Sequence, residues 1–131
     1  MKTAHTLKGK IAVVIVALGV FLGFGGVALA TTSSFGYTLP GYQENVTLAS
    51  GTRASSSTSA AATVTANNNN QKFWLWCDSG SVGNRLTNSV LVTGKTTYYL
   101  TYWNTGSGKV YLRGCTDGWQ TPNYVGGSVT F

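Results

Sequence analysis

The sequence predicts an all-β fold: a single small antiparallel β-sandwich of about seven or eight strands, preceded by an N-terminal signal segment. Three observations support this. Thr, Ser and Asn supply 38 of the 101 residues from Thr31 onward, and fourteen aromatic residues are spread among them. Thr, Val and aromatic residues favour a pleated surface, whereas Gly and Asn favour turns. No stretch after residue 30 repeats its apolar residues with the helical period, so we expect no helix.

The first thirty residues have the three parts of a secretory signal peptide. They begin with lysines, continue as an apolar run and end in small residues: Lys2, Lys8 and Lys10, then Ile11–Val27, then Ala28-Leu29-Ala30. We therefore predict a signal peptide over 1–30, a β-sandwich domain over 31–131, and a secreted or cell-surface location. The alternative is an uncleaved membrane anchor, because the apolar run approaches the roughly 20 residues that span a bilayer.

The first predicted strands are short and end at turns. Phe35–Leu39 ends at Pro40-Gly41, and Asn45–Leu48 ends at Ser50-Gly51. The stretch Thr52–Ala66 is predicted as a strand because alternate residues are small, which suits close sheet packing: Ala54, Ser56, Thr58, Ala60, Ala62, Val64 and Ala66. The same composition also suits a flexible or O-glycosylated linker. The four asparagines that follow are expected to form a polar loop.

Lys72–Cys77 is the clearest strand in the sequence. Alternation places Phe73, Leu75 and Cys77 on one face and Lys72, Trp74 and Trp76 on the other. Both faces are therefore largely apolar. Such a strand either lies centrally in a sandwich or presents an aromatic surface. Asp78-Ser79-Gly80 then turns the chain into a predicted strand over Arg85–Thr93.

Lys95–Trp103 and Lys109–Arg113 are predicted to pair as a hairpin around the loop 104–108. In that register the inward face is apolar: Tyr98, Leu100, Tyr102, Val110 and Leu112. The outward face is aromatic and basic, and we take five of its residues as the candidate binding site: Tyr99, Trp103, Tyr111, Lys109 and Arg113. A last strand is predicted over Tyr124–Phe131.

Cys77 and Cys115 are the only cysteines. An even number in a small exported domain predicts a disulfide between them, which would stabilise the fold by roughly 4 kcal/mol. Free thiols are the alternative. The strand parities conflict with the bond, because Cys77 lies on an inward face and Cys115 on an outward one. The disulfide therefore needs a bulge at Gly114 or a position at the strand ends.

The residues after position 30 carry six basic and three acidic side chains, a formal charge of +3. This dispersed surplus does not predict nucleic-acid binding, which requires clustered Lys and Arg. The only histidine, His5, lies in the signal, so we expect neither a His-dependent catalytic site nor a metal site, and no cofactor. Asp78 and Asp117 are the one candidate carboxylate pair for a glycosidase. We prefer to read them as turn residues, and expect no enzyme activity.

Two segments and the chain end give the sequence a resemblance to a known group: Gly94-Lys-Thr-Thr-Tyr-Tyr-Leu100, Lys109-Val-Tyr-Leu-Arg113 and Gly126-Gly-Ser-Val-Thr-Phe131. In these and in its layout the chain resembles small exported β-rich proteins of Gram-positive bacteria, grouped as a domain of unknown function. The resemblance implies an exported β-domain and no particular activity. The chain also looks loosely like exported β-sandwich bacteriocins, although it lacks their His- and Gly-rich N-terminal pattern.

These observations predict a monomeric, non-catalytic module that is secreted or held at the cell surface. Flat aromatic side chains stack on sugar rings, and Lys109 and Arg113 would meet acidic groups, so the expected partner is carbohydrate or an anionic polymer of the cell envelope. The alternative function is a bacteriocin-like antagonist acting on the membranes of neighbouring cells. A third interpretation is that the aromatic residues simply pack beneath a second layer.

Overall fold

The computed structural model describes residues 29–80 and 84–131. Apart from Leu29 and Ala30, the predicted signal peptide lies outside these residues. The described part contains eight strands: β1 (Thr32–Leu39), β2 (Val46–Arg53), β3 (Ser59–Asn67), β4 (Phe73–Asp78), β5 (Val90–Val92), β6 (Thr97–Thr101), β7 (Gly108–Thr116) and β8 (Asn123–Thr130).

The strands form two four-stranded antiparallel sheets that pack face to face. Sheet I has the order β1-β8-β3-β6, and sheet II has the order β2-β7-β4-β5. Apolar side chains from both sheets fill the space between them, among them Phe73, Leu75, Leu100, Leu112 and Val129, all fully buried. The predicted small antiparallel β-sandwich is confirmed.

Side-chain alternation explains how β3 and β4 face this core. On β3 the small residues Ala60, Ala62 and Val64 point inward and are almost completely buried. On β4, which lies between β7 and β5, Phe73 and Leu75 point inward. Small side chains on β3 let the facing sheet approach closely. The single strand predicted over Thr52–Ala66 is wrong, because Thr52 and Arg53 end β2 and residues 54–58 form a turn. Residues 59–66 lie in β3, so the linker alternative is wrong for this part.

The predicted hairpin of β6 with β7 is wrong. β6 pairs with β3, with Leu100 opposite Ala60, whereas β7 pairs with β2 and β4 in the other sheet. The chain crosses between sheets over residues 102–107. Leu100, Val110 and Leu112 still face the core, because alternation determines which face of a strand is buried and leaves the choice of partner strand open.

The predicted disulfide is also wrong, because Cys77 and Cys115 are both free. Cys77 points into the core from β4, and burial raises the pKa of its thiol to about 12. Cys115 lies on the outer side of β7, opposite Trp74 rather than Cys77. The two sulfur atoms are therefore on opposite faces of one sheet, where no side-chain rotation can join them.

The strand predicted over Arg85–Thr93 is shorter than expected, because β5 covers only Val90–Val92. Thr87 interrupts the ladder. It is fully buried, and its hydroxyl accepts a hydrogen bond from the backbone N–H of Cys77 at 3.0 Å. Thr87 also bridges to Tyr102, so this segment leaves sheet II and contacts the chain just after β6.

The two ends of the described domain meet at one edge of the sandwich. The backbone N–H of Phe131 donates to the carbonyl of Thr31 at 3.0 Å, and the N–H of Thr31 donates to the carbonyl of Thr52 at 3.0 Å. The Phe131 ring is 1% exposed and packs over Gly51. The start of β1 and the last residue are therefore both fixed to sheet II.

Candidate functional site

The five predicted site residues do not lie on one face of the sandwich. Tyr99 lies on the outer face of sheet I and is 65% exposed. Trp103 is 54% exposed and lies in the segment that crosses to sheet II, where its indole N–H donates to Oδ1 of Asn88 at 3.2 Å. Lys109, Tyr111 and Arg113 lie on the outer side of β7 in sheet II. Because β6 and β7 belong to different sheets, these five side chains do not form one surface.

The outer face of sheet II carries a cleft of about 290 Å³, which we call the tryptophan cleft. It is lined by Asn45, Trp74, Trp76, Arg85, Ser89 and Cys115. Its position follows from the β4–β7 register, in which Trp74 lies opposite Cys115 and Trp76 lies opposite Arg113. The alternation predicted for Lys72–Cys77 therefore puts both tryptophans on the side of β4 that faces away from the core.

Arg85 covers the inner tryptophan of the cleft. Its guanidinium lies 4.5 Å from the centre of the Trp76 ring, and it donates a hydrogen bond to the hydroxyl of Ser89. A backbone bridge between Asp78 and Arg85 holds this segment against the end of β4. Trp76 is only 3% exposed, so it supports the arginine, whose charge remains at the surface.

Trp74 is the accessible aromatic wall of the cleft. The side chain is half-buried, and its indole N–H donates to Oδ1 of Asp117 at 3.1 Å. This bond fixes the orientation of the ring. A half-exposed indole held in one orientation offers a flat apolar face at little entropic cost to binding.

The guanidinium of Arg113 contacts other side chains of the protein. Its Nε atom lies 3.7 Å from Oδ2 of Asp78, and its Nη1 donates to the hydroxyl of Thr47 at 2.8 Å. Arg113 is 8% exposed and Asp78 is 2% exposed. The residue that the sequence suggested as a charge contact for a ligand is thus part of a buried ion pair.

Lys109 and Tyr111 extend the same outer row of β7. The ammonium of Lys109 lies 5.3 Å from the centre of the Tyr111 ring, within the range of a cation–π contact. Lys109 is exposed and Tyr111 is half-buried. The outer face of sheet II therefore combines aromatic rings with cationic side chains, of which Lys109 and Arg85 reach the surface.

Cys115 contributes a thiol to the lining of the cleft. Burial raises its pKa above the ordinary value for cysteine. A thiol that stays protonated near neutral pH is a weak nucleophile. Cys115 therefore serves the cleft as a small apolar wall.

The two candidate catalytic carboxylates are far apart. Asp78 ends β4, whereas the backbone N–H of Asp117 donates to the carbonyl of Lys72, at the other end of that strand. The length of β4 separates them, about 20 Å at roughly 3.3 Å per residue. Glycosidase carboxylates lie within about 10 Å of each other, so these two do not form such a pair.

Sequence reasoning missed Arg85 and Asn45 as neighbours of the tryptophans. The outward face of Trp74 and Trp76 was the one signal present, and it was not carried into the predicted site.

Across residues 29–80 and 84–131, no three metal-binding side chains come together, and no helix is long and apolar enough to cross a membrane. The chain matches no protein-family model, no curated protein and no solved structure.

Proposed function

We propose that this protein is an exported, non-catalytic binding module that holds carbohydrate or an anionic polymer of the cell envelope in the tryptophan cleft. The observation that carries the proposal is the position of Trp74 beside the stacked guanidinium of Arg85. An indole face binds the apolar side of a sugar ring. A guanidinium pairs with carboxylate or phosphate in a charge-assisted hydrogen bond.

The polar lining of the cleft supports the same ligand class. Asn45 and Ser89 place an amide and a hydroxyl at its rim, groups that bond to sugar hydroxyls. The formal charge of +3 after residue 30 favours an acidic polymer over a basic one. The cleft is open to solvent, as expected for a site that binds part of a long chain.

Retention on peptidoglycan sacculi tests the proposal, with one batch intact and one stripped of its anionic wall polymers. Trp74→Ala should raise the dissociation constant about 30-fold, equivalent to about 2 kcal/mol for a central aromatic contact. Trp74→Phe keeps an aromatic face and should cost only a few-fold. Tyr99→Ala removes an exposed aromatic ring from the opposite sheet and is the matched control.

Arg85→Gln separates the two ligand classes. If the polymer is anionic, this variant binds intact sacculi more weakly, and the difference disappears in high salt. If the ligand is neutral, the affinity of Arg85→Gln relative to the wild type is the same on intact and on stripped sacculi. Equal losses for Trp74→Ala and Tyr99→Ala, with both variants folded, would contradict the cleft. Dye release from vesicles without retention on either batch would favour the antagonist function.

A further inference from the structure

A second aromatic surface lies at the end of the sandwich, in the loops after β1 and β7. Trp119 is 84% exposed and Tyr42 is 55% exposed, and the two rings lie 6.4 Å apart at an angle of 43°. We call this pair the aromatic platform. Trp119 is the most exposed of the large hydrophobic residues in the described chain.

The two loops that carry the platform are joined to each other through their backbones. The backbone N–H of Gln120 donates to the carbonyl of Gly41 at 2.8 Å, and the N–H of Gln43 donates to the hydroxyl of Thr116 at 3.1 Å. Thr116 is fully buried and donates in turn to the carbonyl of Gly118. At Gly41 a Cβ would collide with the carbonyl oxygen of Gln120, so this approach requires glycine. The loop backbones therefore lose little freedom on binding, which leaves mainly the rotation of the two rings to be restricted.

The charges around the platform select against an anionic ligand. Glu44 accepts a hydrogen bond from the hydroxyl of Tyr42 at 2.8 Å, and Asp117 precedes Trp119 by two residues. These are two of the three acidic residues after position 30. Carboxylates repel phosphate headgroups and acidic sugars, whereas they accept hydrogen bonds from neutral sugar hydroxyls. The platform therefore fits a neutral sugar ring.

The platform adjoins the tryptophan cleft. Asp117, in the loop of Trp119, accepts the hydrogen bond from the indole N–H of Trp74. On the other side, Asn45 lines the cleft and directly follows Glu44. The Trp74–Asp117 hydrogen bond and the adjacent residues Glu44 and Asn45 connect the two surfaces, so a single extended chain can contact both.

We propose that the aromatic platform is a second subsite of the same binding surface, and that the ligand is a chain of linked sugars. A neutral ring stacks on Trp119 and Tyr42, while a neighbouring unit with an acidic group lies in the cleft beside Arg85. This inference rests on the proposed function, because it extends the ligand from the cleft. It adds that affinity depends on the length of the glycan.

The test uses soluble glycan fragments of one, two and four sugar units, the shortest being the acidic sugar alone, prepared from sacculi and titrated by calorimetry. For the wild type, affinity should rise at least tenfold from the shortest fragment to the longest. Trp119→Ala should abolish this rise and leave the affinity for the shortest fragment unchanged. Trp74→Ala should weaken binding at every length. Tyr99→Ala is the control, and the near-ultraviolet circular dichroism of each variant establishes folding.

Each outcome separates the two proposals. If Trp119→Ala binds fragments of every length with wild-type affinity while Trp74→Ala binds them weakly, the tryptophan cleft is supported as the binding site and the second subsite is refuted. If the wild type binds no fragment but is retained on intact sacculi, the second subsite is refuted and the proposed function stands; if it is not retained on sacculi either, both proposals are overturned. If wild-type protein binds phosphatidylglycerol vesicles through Trp119 and shows no dependence on glycan length, the platform contacts membranes and the inference is wrong.

Discussion

The buried ion pair between Arg113 and Asp78 gives a sharp test of how the outer face of sheet II is built. Asp78→Asn keeps the shape of the side chain and removes its charge, which leaves the guanidinium of Arg113 8% exposed with no counter-charge. Breaking a buried pair from one side costs about 3–5 kcal/mol. We expect the lower end, about 3 kcal/mol, because Arg113 keeps its hydrogen bond to Thr47.

The reverse variant, Arg113→Met, keeps the apolar stem and leaves Asp78 alone, so we again expect a loss of about 3 kcal/mol. The double variant removes both charges and should lose little more than either single variant, with a coupling of about 2 kcal/mol. Urea denaturation followed by tryptophan fluorescence measures each free energy of unfolding. For a domain of this size, 3 kcal/mol corresponds to a fall in Tm of at least about 12 °C.

If the double variant loses as much free energy of unfolding as the two single variants together, the ion pair is refuted as a stabilising contact. The same variants decide whether Arg113 acts on ligand. If it serves only the fold, folded Arg113→Met should retain wild-type affinity for sacculi. A large loss of affinity with unchanged stability would return Arg113 to the binding site that the sequence suggested.

Two further predictions follow from the interior. Gly127→Ala should lower the free energy of unfolding by about 3 kcal/mol, because a Cβ there collides with the carbonyl oxygen of Thr63 on the neighbouring strand. Gly94→Ala is the control and should be nearly neutral, because the space around Gly94 is open. Equal Tm values for the two variants would contradict the packing at Gly127. Thiol labelling without reductant should modify both cysteines in denaturant and only Cys115 in the folded protein. Labelling of folded Cys115 should become faster as pH rises because the thiolate is the reactive form, and should be slower than in denaturant because burial raises its pKa. Resistance of both cysteines in denaturant would instead indicate a disulfide.

Much of the fold follows from the period-two pattern of the sequence. The inward faces of β4, β6 and β7 are the predicted ones, because each strand has one uniformly apolar side. Strand partners do not follow, since Leu100 satisfies the core equally well beside Ala60 or beside Leu112. The disulfide failed for a related reason: cysteine count suggested a bond, but the parities of Cys77 and Cys115 already opposed it.

Only part of the candidate site could be predicted from the sequence. Alternation alone brings Trp74 and Trp76 to one face, and that part of the cleft was predictable. The stacking of Arg85 on Trp76 was not, because it depends on Thr87 turning inward and shortening the strand after residue 80. Tyr42 and Trp119 lie in loops, which carry no periodic signal, and only the pairing of their loops brings them together.

The hydrogen bond between Phe131 and Thr31 determines which end of the sandwich faces outward when the protein is attached to a surface. The chain enters β1 at the end of the sandwich opposite the aromatic platform, and the eight residues of β1 span about 26 Å. Attachment through residues before Thr31 therefore directs Trp119 and Tyr42 outward. Sensor surfaces and affinity columns that hold the protein through residues before Thr31 should therefore leave the aromatic platform free.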